Sequence, residues 1–378
     1  MRSLSSTLAR LSALRGRAMP APPVVTGSAL VELTDFGPNP GCLRAWYHVP
    51  SSVRKRPALV VVLHGCTQNA AGYDRGVGWS QLAEERGFVL LFPEQRRANN
   101  MNLCFNWYEP AHSRRDAGEP LSIKRMIDTM IELHDVDPSR VFINGLSAGG
   151  AMTSVMLATY PEIFAGGAII AGLPYGVASN VPEAFDRMRG HGGPDTAGLA
   201  AAIRDASPHQ GPWPSIAVWH GSADQTVDAV NSEAILAQWR AVHGVADLPD
   251  HDGTVDGYPH RAWRDPRGRA VMESYLITGM GHGTPVALAG ADGCGAGGAY
   301  MLDVGISSTR HIATSWGLAE GGLAAAIVPR AARVAREAAG AGDRPTARPR
   351  APRAGAKPPI AAVGKVIEDA LRAAGLMR

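Results

Sequence analysis

Residues Gly145-Leu146-Ser147-Ala148-Gly149 set a serine between two glycines, directly after the apolar run "VFIN" and before the apolar stretch "GAMTSVML". A strand that turns at once into a helix needs residues without bulk around the apex, and the turn lifts the serine Oγ clear of the backbone. A lone hydroxyl is a weak nucleophile and needs a base, which in turn needs an acid to hold it. "VWHGSADQTV" puts Asp224 just past a strand end, and "ESYLITGMGHGTPV" puts His282 just past the next candidate strand. Serine, acid and histidine therefore follow one another in chain order, each on a loop after a strand. The chemistry such a set performs is attack on a carbonyl carbon, with Ser147 as nucleophile, His282 as base and Asp224 as its orienting acid.

That attack creates an oxyanion, which preorganised N–H donors must meet. Ala148, the residue after the serine, supplies one candidate; the turn "LHGCTQ" after an early strand supplies the other, at Cys66 with Thr67 as its neighbour. Other titratable residues have plainer readings. Asp228 stands at the start of a helix, His220 and His64 at strand ends where they pack, and His311 in a helix near the end of the sheet region. No H-E-x-x-H, Walker-type loop or C-x-x-C pair occurs, so no metal or cofactor is implied.

The elements that must position these residues alternate. Apolar runs at 58–65 ("ALVVVLHG"), 88–94 ("FVLLFPE"), 140–145 ("RVFING"), 166–172 ("GGAIIAG") and 215–221 ("SIAVWHG") read as buried strands. Helical patterns at 78–87, 121–136 and 231–244 separate them. This is the pattern of an open α/β sheet, mostly parallel, with helices on both faces. Residues 175–213, rich in Gly and Pro with one short helical piece at 197–206, read as a cap-like insertion, and 257–278 as a hairpin that supplies late strands. The glycines of "GCGAGG" (293–298) read as a loop.

The chain has 378 residues and 45% hydrophobic content, ample for a core, and a net charge of +3 that is unevenly spread. Basic residues exceed acidic ones by about seven after Pro329 and by about four before Ser28, which leaves the middle near about −8 and argues against a nucleic-acid surface there. Residues 1–29 form a basic leader whose Arg10, Arg15 and Arg17 interrupt any secretory apolar run. Residues 323–359 read as an Ala/Arg/Pro-rich linker, and 360–378 as an amphipathic helix with Ile360, Val363, Ile367, Leu371 and Ala374 on one face. That tail is expected either to dock on its own domain or to hold a polymer granule or an anionic surface.

"LVVVLHGCTQNAAGYDRGVGWSQLAEERGFVLLFPEQ", "NLCFNWYEP", "VFINGLSAGGAMTSVMLATYPEIFAGGAIIAGLPYG", "VWHGSADQTV" and "CGAGGAYMLDVGISSTRHIATSWGL" together resemble the poly(3-hydroxybutyrate) depolymerase family of esterases, related to feruloyl and acetylxylan esterases. The resemblance spans about residues 30–320, and residues 30–322 are read as the catalytic domain. It implies an α/β-hydrolase fold and ester hydrolysis through an acyl-serine, with Ser147, Asp224 and His282 catalytic and Cys66 and Ala148 as oxyanion donors. It also implies an extracellular enzyme, whereas the absence of a visible signal leaves the cytoplasm as the alternative. Oligomers, amorphous polymer or small esters are the expected substrates, with feruloyl or acetylxylan esters as the runner-up. A non-catalytic granule-surface protein is the reading from another class, and the intact serine, acid and histidine argue against it. Trp107 and Tyr175 are candidates to line a substrate channel. Cys66 and Cys104, in adjoining motifs, either pair or stay as reduced thiols.

Overall fold

The computed structural model describes residues 30–290 and 293–319 together with the backbone of Val328–Pro329. The expected leader, the amphipathic helix at 360–378 and most of the linker lie outside the described residues.

The described residues open with β1 (Val31–Glu32), β2 (Arg44–His48) and β3 (Leu59–Leu63), then α1 (Ala70–Val77) and α2 (Trp79–Arg86). β4 (Val89–Glu94), α3 (Gly118–His134), β5 (Val141–Leu146), α4 (Ala148–Thr159) and β6 (Gly166–Ile170) follow. After α5 (Val181–Met188) and α6 (Thr196–Asp205) come β7 (Ser215–Gly221), α7 (Val230–His243), β8 (His251–Val255), β9 (Tyr258–Arg264) and β10 (Ala270–Ile277). β11 (Thr284–Val286), β12 (Met301–Asp303), α8 (Ser308–Ser315) and β13 (Val328–Pro329) complete the described elements. No helix among the described residues is long and apolar enough to cross a membrane.

Among the described residues eleven strands form one sheet in the order β1-β2-β4-β3-β5-β6-β7-β10-β9-β8-β13. Its centre, from β4 to β10, is parallel; β2 joins β4, and β9 joins β10, antiparallel. The five expected strands are all there. In β3, β5 and β6 every residue is buried, because helices cover both faces. Along β3 the two-residue side-chain period divides the core: Leu59, Val61 and Leu63 pack on the face of α3, α4 and α7, and Val60 and Val62 on the face of α1, α2 and α8. Each such side chain contributes about 2 kcal/mol through burial, so the sheet is the rigid platform and the loops at its carboxyl ends are free to carry the site.

Some elements escaped the sequence pattern. The 175–213 segment holds two helices, not one: Asn180 caps α5 by accepting from Glu183 N–H (2.9 Å), while the Glu183 carboxylate reaches back to accept from Ser179 N–H (2.8 Å), a start signal that is readable in "SNVPE". The late hairpin gains a third strand, β8. Within the stretch expected as a linker, Val328–Pro329 pairs antiparallel with Thr254 and Gly253 of β8.

Candidate functional site

The serine turn is made by backbone contact. A Cβ on Gly145 would lie 2.4 Å from Gly149 O, one on Gly149 2.4 Å from Leu63 O and 2.5 Å from His64 O, and one on Gly150 2.8 Å from Ile170 O. Glycine at these positions lets the first turn of α4 sit directly on the ends of β3, β5 and β6. Ser147 between them has φ 82° and ψ −108°, a conformation that costs a side-chain-bearing residue about 1–3 kcal/mol. It is held there by Ser147 N–H donating to Ile170 O (3.0 Å) and by Ala151 N–H donating to Ser147 O (2.8 Å).

The structure brings Ser147, His282 and Asp224 together. Ser147 Oγ lies 2.9 Å from His282 Nε2, and His282 Nδ1 lies 2.7 Å from Asp224 Oδ2. A carboxylate can only accept, so Nδ1 carries the imidazole proton and Nε2 keeps its lone pair for the serine hydroxyl. Asp224 Oδ1 accepts the N–H groups of Thr226 and Val227, both at 2.9 Å. His220 adds to this cradle. Its Nε2–H donates to Val227 O (2.8 Å) and lies 3.4 Å from Asp224 Oδ2. Burial alone would raise the Asp224 carboxyl; hydrogen bonds from His220 and His282 overcome it and hold the group well below the usual carboxylate range.

The other candidates settle as their local patterns suggested. Asp228 accepts from Val230 N–H (2.9 Å) at the start of α7, and His311 pairs with Asp256 (2.8 Å) away from the serine. His64 is buried, which lowers its basicity; Gln95 N–H donates to its Nε2 (3.1 Å), so its Nδ1–H donates to Gly65 O (2.8 Å).

Beside the serine, Cys66 and Cys104 are joined as a disulfide. Thr67 N–H donates to Asn102 O (2.6 Å) and is thereby engaged, whereas among the described residues neither Cys66 N–H nor Ala148 N–H has a protein acceptor. Both residues line a cleft of about 330 Å³ that also holds Ser147 and His282. Trp107 lies on its wall as expected, with Tyr108, Leu173, Phe185 and Met188. Tyr175 does not. Its hydroxyl donates to Ser113 O (3.1 Å), and its half-buried side chain packs against the core instead.

Sequence reasoning placed a cap-like insertion at 175–213 without resolving α5 as its cleft wall, and missed Tyr300, whose ring centre is 6.1 Å from that of His282, and Gln68, whose side chain accepts Gly65 N–H at 2.8 Å. None has a local signal except the cap of α5.

The geometry has counterparts among known proteins. A family model described as "Esterase PHB depolymerase" matches residues 43–254. Poly(3-hydroxyalkanoate) depolymerase C of Paucimonas lemoignei is 46% identical over 296 residues, 77% of this chain and 70% of that protein. An acetylxylan esterase of Coprinopsis cinerea is 32% identical, with 70% of this chain and 72% of that protein covered. Among solved structures, acetyl xylan esterase from Aspergillus awamori superimposes with a TM-score of 0.66 at 25% identity, covering 77% of this chain and 99% of that one. The chain thus belongs to the PHB depolymerase family of esterases, a serine carboxylic-ester hydrolase on the α/β-hydrolase fold.

Proposed function

We propose that Ser147, His282 and Asp224 hydrolyse esters of 3-hydroxyalkanoates, chiefly oligomers, through an acyl-enzyme. One observation carries the reading: the unbroken hydrogen-bond line from Ser147 Oγ through His282 to Asp224, at 2.9 and 2.7 Å. Ser147 Oγ attacks the ester carbon while His282 Nε2 takes its proton, and the negative charge forms on the former carbonyl oxygen. The N–H groups of Cys66 and Ala148 meet that oxygen, each worth about 3 kcal/mol to the transition state. Collapse expels the alkoxide, which takes the proton from His282; water then repeats the cycle and frees the acid.

Support for a hydroxyalkanoate acyl group is the 46% identity to a protein named for that substrate and the apolar wall of Trp107, Leu173 and Phe185. The acetylxylan esterase relatives support acetyl esters as the second reading. An oxidising, extracellular setting is supported by the Cys66–Cys104 disulfide. Contact of the tail with a polymer granule or anionic surface is supported by its excess of arginines and by the helical spacing of Ile360, Val363, Ile367 and Leu371 in the sequence.

Purified protein assayed on p-nitrophenyl butyrate, hydroxybutyrate oligomers, methyl ferulate and acetylated xylan tests the substrate. The highest kcat/KM is expected on the oligomers, and a preference for acetylated xylan moves the assignment to the second reading. Ser147→Ala is expected to lower kcat at least about 1,000-fold on every substrate with the fold intact. A variant that keeps a tenth of the activity removes Ser147 from its role.

A further inference from the structure

Behind the cleft lies a buried polar group that the chemistry above does not use. Glu119, the second residue of α3, is fully buried. Its Oε2 accepts Asn106 N–H (2.9 Å), and its Oε1 accepts the side-chain N–H groups of Asn106 (2.8 Å) and Gln95 (2.7 Å). His112 Nδ1 is 3.7 Å from the same Oε1. Burial pushes the carboxyl up to about 8, with the bonds from Asn106 and Gln95 pulling the other way.

From Glu119 two limbs run to one turn. The first passes through Gln95, whose side chain also donates to Cys104 O (3.1 Å) and whose backbone N–H holds His64, which in turn grips Gly65 O. The second passes through Asn106, whose Oδ1 accepts from the Asn100 side chain (2.9 Å). Asn100 Oδ1 accepts Asn102 N–H (3.0 Å), and Asn102 O accepts Thr67 N–H (2.6 Å). Gly65 and Thr67 flank Cys66. Both neighbours of the proposed oxyanion donor are thus fixed through a single carboxylate.

We propose that Glu119 is a positioning residue for the oxyanion hole: by anchoring Gln95 and Asn106 it sets the direction of Cys66 N–H, without touching substrate. The proposal rests on the ester-hydrolase reading of Ser147 and Cys66. It separates Glu119 from an ordinary buried acid because the loss would fall on the transition state and not on substrate binding.

The test uses Glu119→Gln at pH 9, where the wild-type carboxyl is ionised and accepts at both oxygens, while the glutamine turns an N–H₂ toward an N–H donor. Gln95→Met, which cuts one limb and keeps volume, is the second variant. Active sites are counted by stoichiometric phosphonylation of Ser147 with a p-nitrophenyl phosphonate. The kcat per active site on p-nitrophenyl butyrate, KM, melting temperature and the Ki of butylboronic acid are then measured. In the boronate adduct Ser147 Oγ bonds boron, and a boron-bound oxygen takes the oxyanion's place.

Expected for Glu119→Gln is a fall in kcat per active site of about 10- to 100-fold, a fraction of what outright loss of a donor costs, with KM changed less than about twofold. Boronate Ki should rise in parallel, and Gln95→Met should shift both the same way by less. Unchanged kcat per active site and unchanged boronate Ki in both variants, with only the active fraction or melting temperature lowered, overturn the proposal. Wild-type protein that neither phosphonylates at Ser147 nor binds the boronate sinks the ester-hydrolase reading itself, and this proposal with it.

Discussion

The two N–H groups proposed to meet the oxyanion are held by opposite means. Ala148 is fixed by backbone packing so close that no side chain fits: Gly149 and Gly150 rest on the carbonyl ends of three strands, and Gly145 in the middle one meets Gly149 O. Cys66 is fixed by side chains from far along the chain, through Gln95, Asn106, Glu119 and a disulfide that spans 38 residues. Steric packing leaves one arrangement and tolerates no added atom, whereas a polar network holds its position by many bonds and loses it by degrees. The wall built by packing should therefore fail abruptly, and the wall built by polar bonds should fail in steps.

Among changes to the two walls, Gly149→Ala should give the largest effect. Its Cβ would meet Leu63 O at 2.4 Å and His64 O at 2.5 Å, so the start of α4 must move, carrying Ser147 and Ala148 with it. We expect kcat to fall at least about 100-fold and stability to drop by about 1–3 kcal/mol, measured by esterase kinetics and urea unfolding. Near-wild-type activity would mean that the packed wall yields as easily as the polar one, and the contrast would be gone.

Cys104→Ser should be milder for catalysis, because the bonds through His64 and Asn102 remain to hold the Cys66 turn. The expected loss is about tenfold in kcat, while release of a 38-residue loop lowers stability by about 2–4 kcal/mol. Kinetics and thermal melts of the variant, alongside wild type under dithiothreitol, decide this; a loss as large as that of Gly149→Ala would make the disulfide, not the polar network, the support of this wall.

The smallest effect concerns stability and pH. A carboxyl raised from 4.5 in the unfolded chain to about 8 in the folded one favours the folded state while protonated. That contribution is complete below about pH 4.5 and is lost as pH rises to about 8. Wild type should therefore lose stability across this window relative to Glu119→Gln, which has no such proton to release. Parallel stability curves for the two proteins from pH 5 to 9 would show that the network holds Glu119 ionised at no cost.

The same contrast decides what could be read from the sequence. The packed wall is contiguous: a strand, five small or apolar residues and a helix stand side by side, and Asp224 and His282 follow strand ends in an order that the sheet dictates. The polar wall is scattered. In "GEP" Glu119 looks like any acidic residue in a first helical turn, and only the fold shows that Asn106 and Gln95 close over it. Tyr175 failed as a channel residue for a related reason, since an aromatic after a strand carries no mark of which way its ring turns. β2 and β8, each one strand in from an end of the described sheet, are only partly buried, so they lack the apolar runs that revealed its centre.

The turn that carries Asp224 also has a bearing on engineering. Thr226 and Val227 face the cleft, yet their N–H groups bind Asp224 Oδ1 and the Val227 carbonyl is gripped by His220. Residues that line the cleft and residues that fix the acid are here the same residues. A substitution at Thr226 or Val227 that shifts this backbone would loosen Asp224, and a proline at either position would remove one of its N–H bonds outright. Phe185 and Met188 on α5 face the same cleft without a side-chain bond to the catalytic groups, and substitutions there are expected to alter selectivity while turnover is kept.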